Sequence, residues 1–389
     1  MEKNNISIIG GAGHVGFPLG LAFAEAGMKI NLIDLNEKNN NLINSGKIPF
    51  KEEQAKGVLK RNLKKKRISA SKDLGDCKKS KYVIISIGTP INNDNLKPET
   101  KNFLNFFNAL KKYINSKQII IVRSSVYPGI CEKIYDILKS KNKNLAYCPE
   151  RIVQGKSLVE IPKLPQIISG FNHTAKSNSS KLFKKITNQI IYTTINEAEL
   201  IKLFSNAYRY IHFSISNQFY EICRKLNIDY NTLRKNMVLG YPRNKNIPAQ
   251  GFTAGPCLLK DTMQLASFCK NNFQLGYSAM NINENLPINL LKSIKNLKKK
   301  KIGILGLAFK AETDDIRDSL SIKLVNYLKK RKIKFYATDP YVKLKYNQEI
   351  KEVIKHSDIL VVATPHKIYK KLKIPNNKFL IDIWNIITK

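Results

Sequence analysis

Four shortages narrow what this chain of 389 residues can be. No apolar run approaches the roughly 18 residues that a membrane helix needs, so no membrane partner is expected. No secretory leader is expected either, because the first apolar stretch, residues 6–9, is short and runs into a glycine turn. The six cysteines (Cys77, Cys131, Cys148, Cys223, Cys257, Cys269) lie far apart with no CxxC pair. That spacing suits neither a disulfide scaffold nor a zinc site; it predicts no metal and points to a reducing cytoplasm. Acidic residues are also few, 29 against 67 Lys+Arg, which leaves a formal net charge of +38.

An excess of that size has two readings: a polyanionic partner, or compositional drift. Lysine and asparagine are abundant even in evident linkers, and isoleucine is the favoured aliphatic. The lysines are dispersed, the largest clusters being residues 64–66 and 298–301. No helix-turn-helix, zinc or RNA-binding signature accompanies them. Drift is the preferred reading, with a secondary benefit for anionic substrates, and no specific nucleic-acid partner is expected.

What is present reads as a globular protein with a sizeable core. Apolar residues make up 43% and charged residues 25%, and the length predicts two or three domains at about 150 residues each. The chain opens as strand (ISIIG), glycine turn, helix (GAGHVGFPLGLAFAEAG) and strand (INLID). Buried-strand runs recur at residues 82–88, 118–125 and 145–150. Strands alternating with helical segments predict a parallel, doubly wound sheet. The middle is helical. Over residues 197–226 an apolar stripe is formed by Leu200, Leu203, Phe204, Ala207, Tyr208, Ile211, Ile215, Phe219 and Ile222. Helices are also expected at 232–238 and 262–269. Lysine-rich residues 293–301 read as a linker into a third part that repeats the opening grammar: KIGILGLAF, IKFYATDP, DILVVATP and FLIDIWN as strands, residues 321–330 as a helix. The expected division is 1–192, 193–295 and 296–389, an α/β chain with two Rossmann-like doubly wound domains joined by a central helical one.

Four motifs carry chemistry. Gly11-Ala12-Gly13-His14-Val15-Gly16 sits between a strand and a helix, and Asp34 ends the second strand. The glycines allow a tight turn and close approach to a pyrophosphate. The helix N-terminus adds its dipole, and the carboxylate accepts from a ribose diol. Because Asp34 disfavours a 2′-phosphate, NAD is expected over NADP. Gly88-Thr89-Pro90 and Ser124-Ser125 end two later strands, where ligands bind in such sheets, although plain strand-end turns look the same. In Gly255-Pro256-Cys257-Leu258-Leu259-Lys260-Asp261 a cysteine follows a turn beside a lysine and an aspartate. It reads as an activated thiol or as a small cysteine buried at a helix start. Lys202 and Asn206, at i and i+4, either aim an ammonium and an amide at one oxygen or belong to a solvated face.

These residues together resemble the UDP-glucose/GDP-mannose dehydrogenase family. The resemblance spans essentially the whole chain through GGAGHVGFPLGLAFAEAG, IGTP, RSSVYPG, CPERIVQG, EAELIKLFSNAYR, GFTAGPCLLKD, ILGLAFKAETDDIRDS, ATDPY and IDIWN. It implies oxidation of a sugar C6 alcohol to a carboxylate with two NAD and one water. Cys257 matches the nucleophile that forms a thiohemiacetal and then a thioester. Lys202 and Asn206 match the oxyanion-stabilising pair, where preorganised donors contribute roughly 3 to 4 kcal/mol each. Asp261 matches a carboxylate that positions water and the lysine. Glu150 matches the general base, and Ser125 stands where a threonine is usual in a water network. Thr89, Ser125, Lys260 and Arg317 match cofactor contacts. Arg243, Lys310 and the loop Gly251, Phe252, Gly255 match nucleotide-sugar contacts, alongside Glu150, Lys202 and Asn206. The resemblance also implies a homodimer built on the long helix.

The chain departs from the family pattern in several places. Pro256 interrupts the usual glycine-rich run before the cysteine, Gln154 replaces a common acid, and Asn39 replaces a common lysine. Arg151 resembles the branch acting on N-acetylated UDP-hexosamines, whereas Lys260-Asp261 resembles the UDP-glucose branch.

Overall fold

The computed structural model describes residues 2–92, 96–270 and 272–387. The chain gathers into two compact units, residues 1–205 and 206–389. In the first, the order is β1 (Glu2–Ile9), α1 (Gly16–Glu25), β2 (Lys29–Ile33), α2 (Glu37–Asn44), α3 (Ala55–Lys64), β3 (Ile68–Ser71), β4 (Ser80–Ile85), α4 (Thr100–Leu110), β5 (Ile119–Val122), α5 (Ile130–Leu138), β6 (Leu145–Tyr147), α6 (Ser157–Glu160), β7 (Gln166–Gly170), α7 (His173–Phe183) and β8 (Ile190–Tyr192). Helix α8 (Ile195–Lys225) runs from the first unit into the second.

The eight strands form one sheet in the order β3-β2-β1-β4-β5-β6-β7-β8. Sequence-adjacent residues of one strand feed opposite cores. Ile84 packs with Ile6, Ile8, Phe17 and Phe23, whereas Val83 and Ile85 pack with Phe103, Phe107 and Ile134. Both faces are therefore covered, and the strands read as unbroken aliphatic runs rather than as alternation. The strand order reverses between β1 and β4, the switch point where such sheets bind ligands at their carboxyl ends.

The sheet is parallel, as expected, except for the β6–β7 pair, which is antiparallel. Between these strands the chain forms only the four-residue α6, too little for a crossover helix that would return the strand in the same direction. The strands are also shorter than their apolar runs. In particular, β6 stops at Tyr147, which leaves Cys148, Pro149 and Glu150 in the loop beyond it.

Helix α8 opens with a capping box. Thr194 Oγ1 accepts from Glu197 N–H (3.3 Å), and Glu197 Oε2 accepts from Thr194 N–H (2.9 Å). The Thr193 hydroxyl and these donors hold the Glu197 carboxyl down at about 2. Further along, α8 buries polar side chains, Lys202, Asn206, Ser214, Ser216 and Asn217, together with Leu203, Ala207 and Tyr210, while Phe204, Tyr208, Ile215, Phe219 and Ile222 are exposed.

The second unit continues with α9 (Tyr230–Val238), α10 (Leu258–Phe268), α11 (Gln274–Lys292), β9 (Ile302–Leu305), α12 (Leu320–Lys330), β10 (Phe335–Thr338), α13 (Ile350–His356), β11 (Ile359–Val362) and β12 (Phe379–Asp382). Its sheet runs β10-β9-β11-β12, parallel throughout. Leu286, Leu290 and Leu291 of α11 share one core with Ile302, Ile304, Leu324 and Val361, so α11 and α12 pack on this sheet.

Candidate active site

The loop after β1 is bound to its neighbouring strand, since Gly10 and Gly11 N–H both donate to Ile33 O (2.8 and 3.1 Å). A Cβ on Gly11 would lie 2.6 Å from Ile8 O, and one on Gly16 2.3 Å from Gly10 O, so both positions demand glycine for packing. A Cβ on Gly13 would meet only Gly10 O, at 3.3 Å. Packing does not require that glycine, and the space it leaves suits close approach of a ligand. Val15 is the N-cap of α1 and makes no side-chain cap, leaving the helix start available to an anion. Asp34, half-buried, accepts Ala12 N–H on Oδ2 (3.1 Å) and Asn36 N–H on Oδ1 (3.0 Å). A carboxylate has about four acceptor sites, so capacity remains for a ribose diol. Asn39 braces the same loop through Ala12 O (3.4 Å). The His14 ring lies 3.8 Å from that of Phe50, and His14 Nδ1 accepts from Gln154 Nε2 (3.0 Å). These residues fit NAD.

At the ends of β4 and β5, the Thr89 hydroxyl donates to Ser125 O and Ser124 Oγ to Ile87 O (2.7 Å), stitching the two strand-end turns together. Glu150 is buried. Its Oε2 takes an ion pair from Arg123, and its Oε1 accepts Arg151 and Ile152 N–H (2.7 and 2.9 Å). Arg123 also donates to Cys148 O (3.1 Å) and Gln166 Oε1 (2.9 Å) and lies over the Phe183 ring. In the sequence Arg123 was only the first residue of RSSVYPG, and nothing there signalled its partner 27 positions on.

Lys202 and Asn206 are one turn apart on α8, and both are buried, so the solvated-face reading fails. Among the described residues of the first unit, no carboxylate pairs with Lys202. Three residues before it, Glu199 accepts Gly129 and Cys131 N–H (2.7 and 2.9 Å) at the start of α5, which fixes the first turns of α8 against the sheet unit. Burial raises the Glu199 carboxyl.

In the second unit, Asn206 Nδ2 donates to Asp261 Oδ2 (2.6 Å), and Lys260 Nζ lies 2.9 Å from Oδ1. The second contact is an ion pair off hydrogen-bond direction. Asp261 is fully buried one turn into α10, and Cys257 is the N-cap of that helix and exposed. The buried-cysteine reading therefore fails for Cys257, whereas it holds for Cys77, Cys131, Cys148 and Cys223. Burial pushes the thiols of Cys77 and Cys148 up to about 11 and about 12.

Arg317 is gripped by the Asp315 carboxylate (2.7 Å from Nη2). The Arg317 pKa lies above its ordinary value: burial would lower it, and Asp315 outweighs burial. Gly251 and Gly255 admit aromatic rings. A Cβ on Gly251 would lie 2.2 Å from Trp384, and one on Gly255 2.6 Å from Phe309, with Gly255 at φ +108°. Phe252 is buried in the core, Lys310 stands over the Phe309 ring, and Arg243 is exposed beside Tyr241. Among the described residues no group of three or more His, Cys, Asp or Glu is placed to hold a metal ion, and no helix is long and apolar enough to cross a membrane.

Fold and loop together define a dinucleotide-binding α/β protein. Three family models, all of the UDP-glucose/GDP-mannose dehydrogenase family, cover nearly all of it: the NAD binding domain matches residues 4–190, the central domain 196–285 and the UDP binding domain 303–389. The chain belongs to the UDP-glucose/GDP-mannose dehydrogenase family, and is an NAD-dependent nucleotide-sugar dehydrogenase. It is 28% identical to a UDP-N-acetyl-D-mannosamine dehydrogenase of Methanococcus vannielii, covering 97% of this chain and 92% of that one. It is 26% identical to a UDP-glucose 6-dehydrogenase of Rickettsia felis, covering 98% and 92%. Among solved structures, a UDP-D-ManNAc dehydrogenase from Pyrococcus horikoshii superposes with a TM-score of 0.89 at 25% identity, over 99% of this chain and 96% of that one.

Proposed function

We propose that the chain oxidises the C6 hydroxyl of a UDP-linked hexose, first among them UDP-N-acetyl-D-mannosamine, to the carboxylate through a thioester on Cys257. The observation that carries this is an exposed thiol at the start of α10, whose first turn holds a buried Asp261 bound to both Asn206 and Lys260. Arg151 and the mannosamine-oxidising relative at 28% identity support the N-acetylated sugar.

NAD, seated by Gly11, Gly13, His14, Val15, Gly16 and Asp34 with Thr89, Ser125, Lys260 and Arg317, supplies the hydride acceptor when bound, two equivalents per sugar. The C6 alcohol first loses a hydride and its hydroxyl proton to become the aldehyde; Cys257 Sγ then adds to the aldehyde carbon, and the thiol proton passes to the carbonyl oxygen, giving a thiohemiacetal. Loss of a hydride and a proton leaves the thioester. Water adds, the S–C bond breaks, the sulfur regains a proton and the carboxylate departs. Lys202 and Asn206 donate to the oxygens that gain charge, helped by the α10 N-terminus. Asp261 holds the Asn206 amide in place. Glu150, oriented by Arg123, is assigned the proton of the attacking water, and Ser125 that water's placement. Gly251, Phe252, Gly255 and Lys310 shape the nucleotide-sugar site, with Arg243 assigned to a neighbouring subunit's sugar.

The exposed Phe204, Tyr208, Ile215, Phe219 and Ile222 recur at helical spacing on one face of α8 and support a homodimer. We place the enzyme in the cytoplasm, making uronates for surface polysaccharide.

NADH formation with a panel of nucleotide sugars tests substrate and activity together. UDP-N-acetyl-D-mannosamine should give two NADH per sugar, and Cys257→Ala should give no uronate. A silent chain would give no NADH with any sugar, and an active Cys257→Ala would remove the thioester.

A further inference from the structure

We infer that Asn217 is a positioning residue for the loop that carries Cys257. It lies in the middle of α8, fully buried, where an amide with unmet hydrogen bonds is destabilising. Both of its donors and its oxygen are engaged. Its Oδ1 accepts Gly251 N–H (2.8 Å), and its Nδ2 donates to Gly251 O (3.0 Å) and to Asn283 Oδ1 (2.8 Å). Asn283, also fully buried, donates onward to Tyr210 O (3.1 Å). The amide of Asn217 thus pairs with both polar groups of one loop residue, as a neighbouring strand would, and its orientation is set by a second amide behind it.

The adjacent residue strengthens the hold, since Ser216 Oγ donates to Pro248 O (2.8 Å). Downstream, Gly255 packs on Phe309 and its N–H reaches Asp318 O (3.4 Å). The segment from 248 to 257 is therefore anchored at Pro248, Gly251 and Gly255 before it delivers Cys257 to α10. Asn217 touches no reacting atom. It acts through the backbone of Gly251, where Trp384 already leaves no room for a Cβ. Displacements near 1 Å at a reacting centre cost on the order of 100-fold in rate.

The proposal rests on Cys257 as nucleophile, so the test carries Cys257→Ala beside Asn217→Leu, which keeps the size of the side chain and removes its hydrogen bonds. Cys269, exposed at the far end of α10, is an internal reference. Iodoacetamide labelling of the full-length chain, read by peptide mass spectrometry, should show the Cys257:Cys269 rate ratio shifted about threefold or more in Asn217→Leu. In the same variant kcat should fall about 10- to 100-fold while the NAD KM stays within about twofold. A ratio that stays constant, or a folded variant with wild-type kcat, would overturn it. If Asn217→Leu does not fold, Asn283→Ala, which leaves both Gly251 bonds formable but frees the amide to turn, must still shift the ratio; a constant ratio there sinks the proposal. Turnover by Cys257→Ala would instead refute the nucleophile and leave the labelling result to judge Asn217 alone.

Discussion

The two sheets solve the same local problem and then use the solution differently. In the first, Gly10 N–H donates to Ile33 O across from β1 to β2; in the second, Gly306 N–H donates to Thr338 O across from β9 to β10, each at 2.8 Å. Both glycines have positive φ, +78° and +97°. In both, the residue after the neighbouring strand is an aspartate whose Oδ2 accepts loop N–H groups. There the likeness ends. Asp34 is half-buried with two donors, and α1 starts a few residues on without a side-chain cap. Asp339 is buried, accepts Leu307, Ala308, Tyr341 and Val342 N–H, and faces His366 Nε2 at 3.0 Å. The helix that follows starts only at Leu320, and Ser319 caps it with its own hydroxyl. A strand–glycine–aspartate turn is therefore not in itself a dinucleotide site. The turn at Asp34 differs in keeping spare acceptor capacity on its carboxylate and an uncapped helix start, the two features our reading of it as the NAD site relies on.

The largest way to break this comparison is Asp339→Ala. It strands four N–H groups in the core and should cost roughly 3–5 kcal/mol of folding stability. Denaturant melts followed by the fluorescence of Trp384, the one tryptophan, would read it in the second unit. Next is the pair Gly16→Ala and Gly13→Ala. The first should destabilise the sheet unit by about 2 kcal/mol through its clash with Gly10 O, while the second should fold normally and lose NAD affinity, as calorimetric titration would show. Asp34→Ala should leave the melting temperature almost unchanged and raise the NAD KM about 10- to 100-fold, the opposite signature to Asp339→Ala.

The smallest effect is in acid. Burial alone would raise the Asp339 carboxyl, but His366 and the loop N–H groups outweigh it and leave it lowered. A carboxyl lowered in the fold stabilises above its unfolded value, near 3.9, and that stability fades as pH falls through the folded one. Trp384 fluorescence should hold to about pH 4 and decay below it, and Asp339→Asn should flatten the acid-dependent part.

How far the sequence foretold this varies by element. The strands were legible because both faces of each sheet are covered, so four or five aliphatic residues in a row have no other use. The glycine loop and Asp34 were legible because their spacing is local. Helix α11 was missed: Pro287 and its asparagines obscure a helical stripe that packing alone completes. The stripe on α8 was read as a dimer surface, but it mixes two faces: Leu203 and Ala207 are buried alongside Lys202 and Asn206, whereas Phe204, Tyr208, Ile215, Phe219 and Ile222 are exposed, and periodicity alone does not separate them. Arg123, Glu199 and Asn217 were invisible because their partners lie 27 to 70 positions away and are often backbone groups, which carry no sequence signal. Asp261 was named for its place in a motif, but that it binds Asn206 and Lys260 at once needed the fold.

The two exposed thiols at the ends of α10 bear on how the enzyme would meet oxidants. Cys257 and Cys269 cap opposite ends of one helix, which at 1.5 Å per residue sets them roughly 18 Å apart, while a disulfide needs Cα atoms within about 7 Å. The other four cysteines are buried. Peroxide reaching Cys257 would give a sulfenic acid and water, and no neighbouring exposed thiol in the same chain could close on it as a shielding disulfide. Recovery would then depend on a small thiol from outside, and without one the sulfur would climb to irreversible acids. The helix that exposes Cys257, the nucleophile we propose, thus also leaves it without a partner thiol in the same chain to shield it.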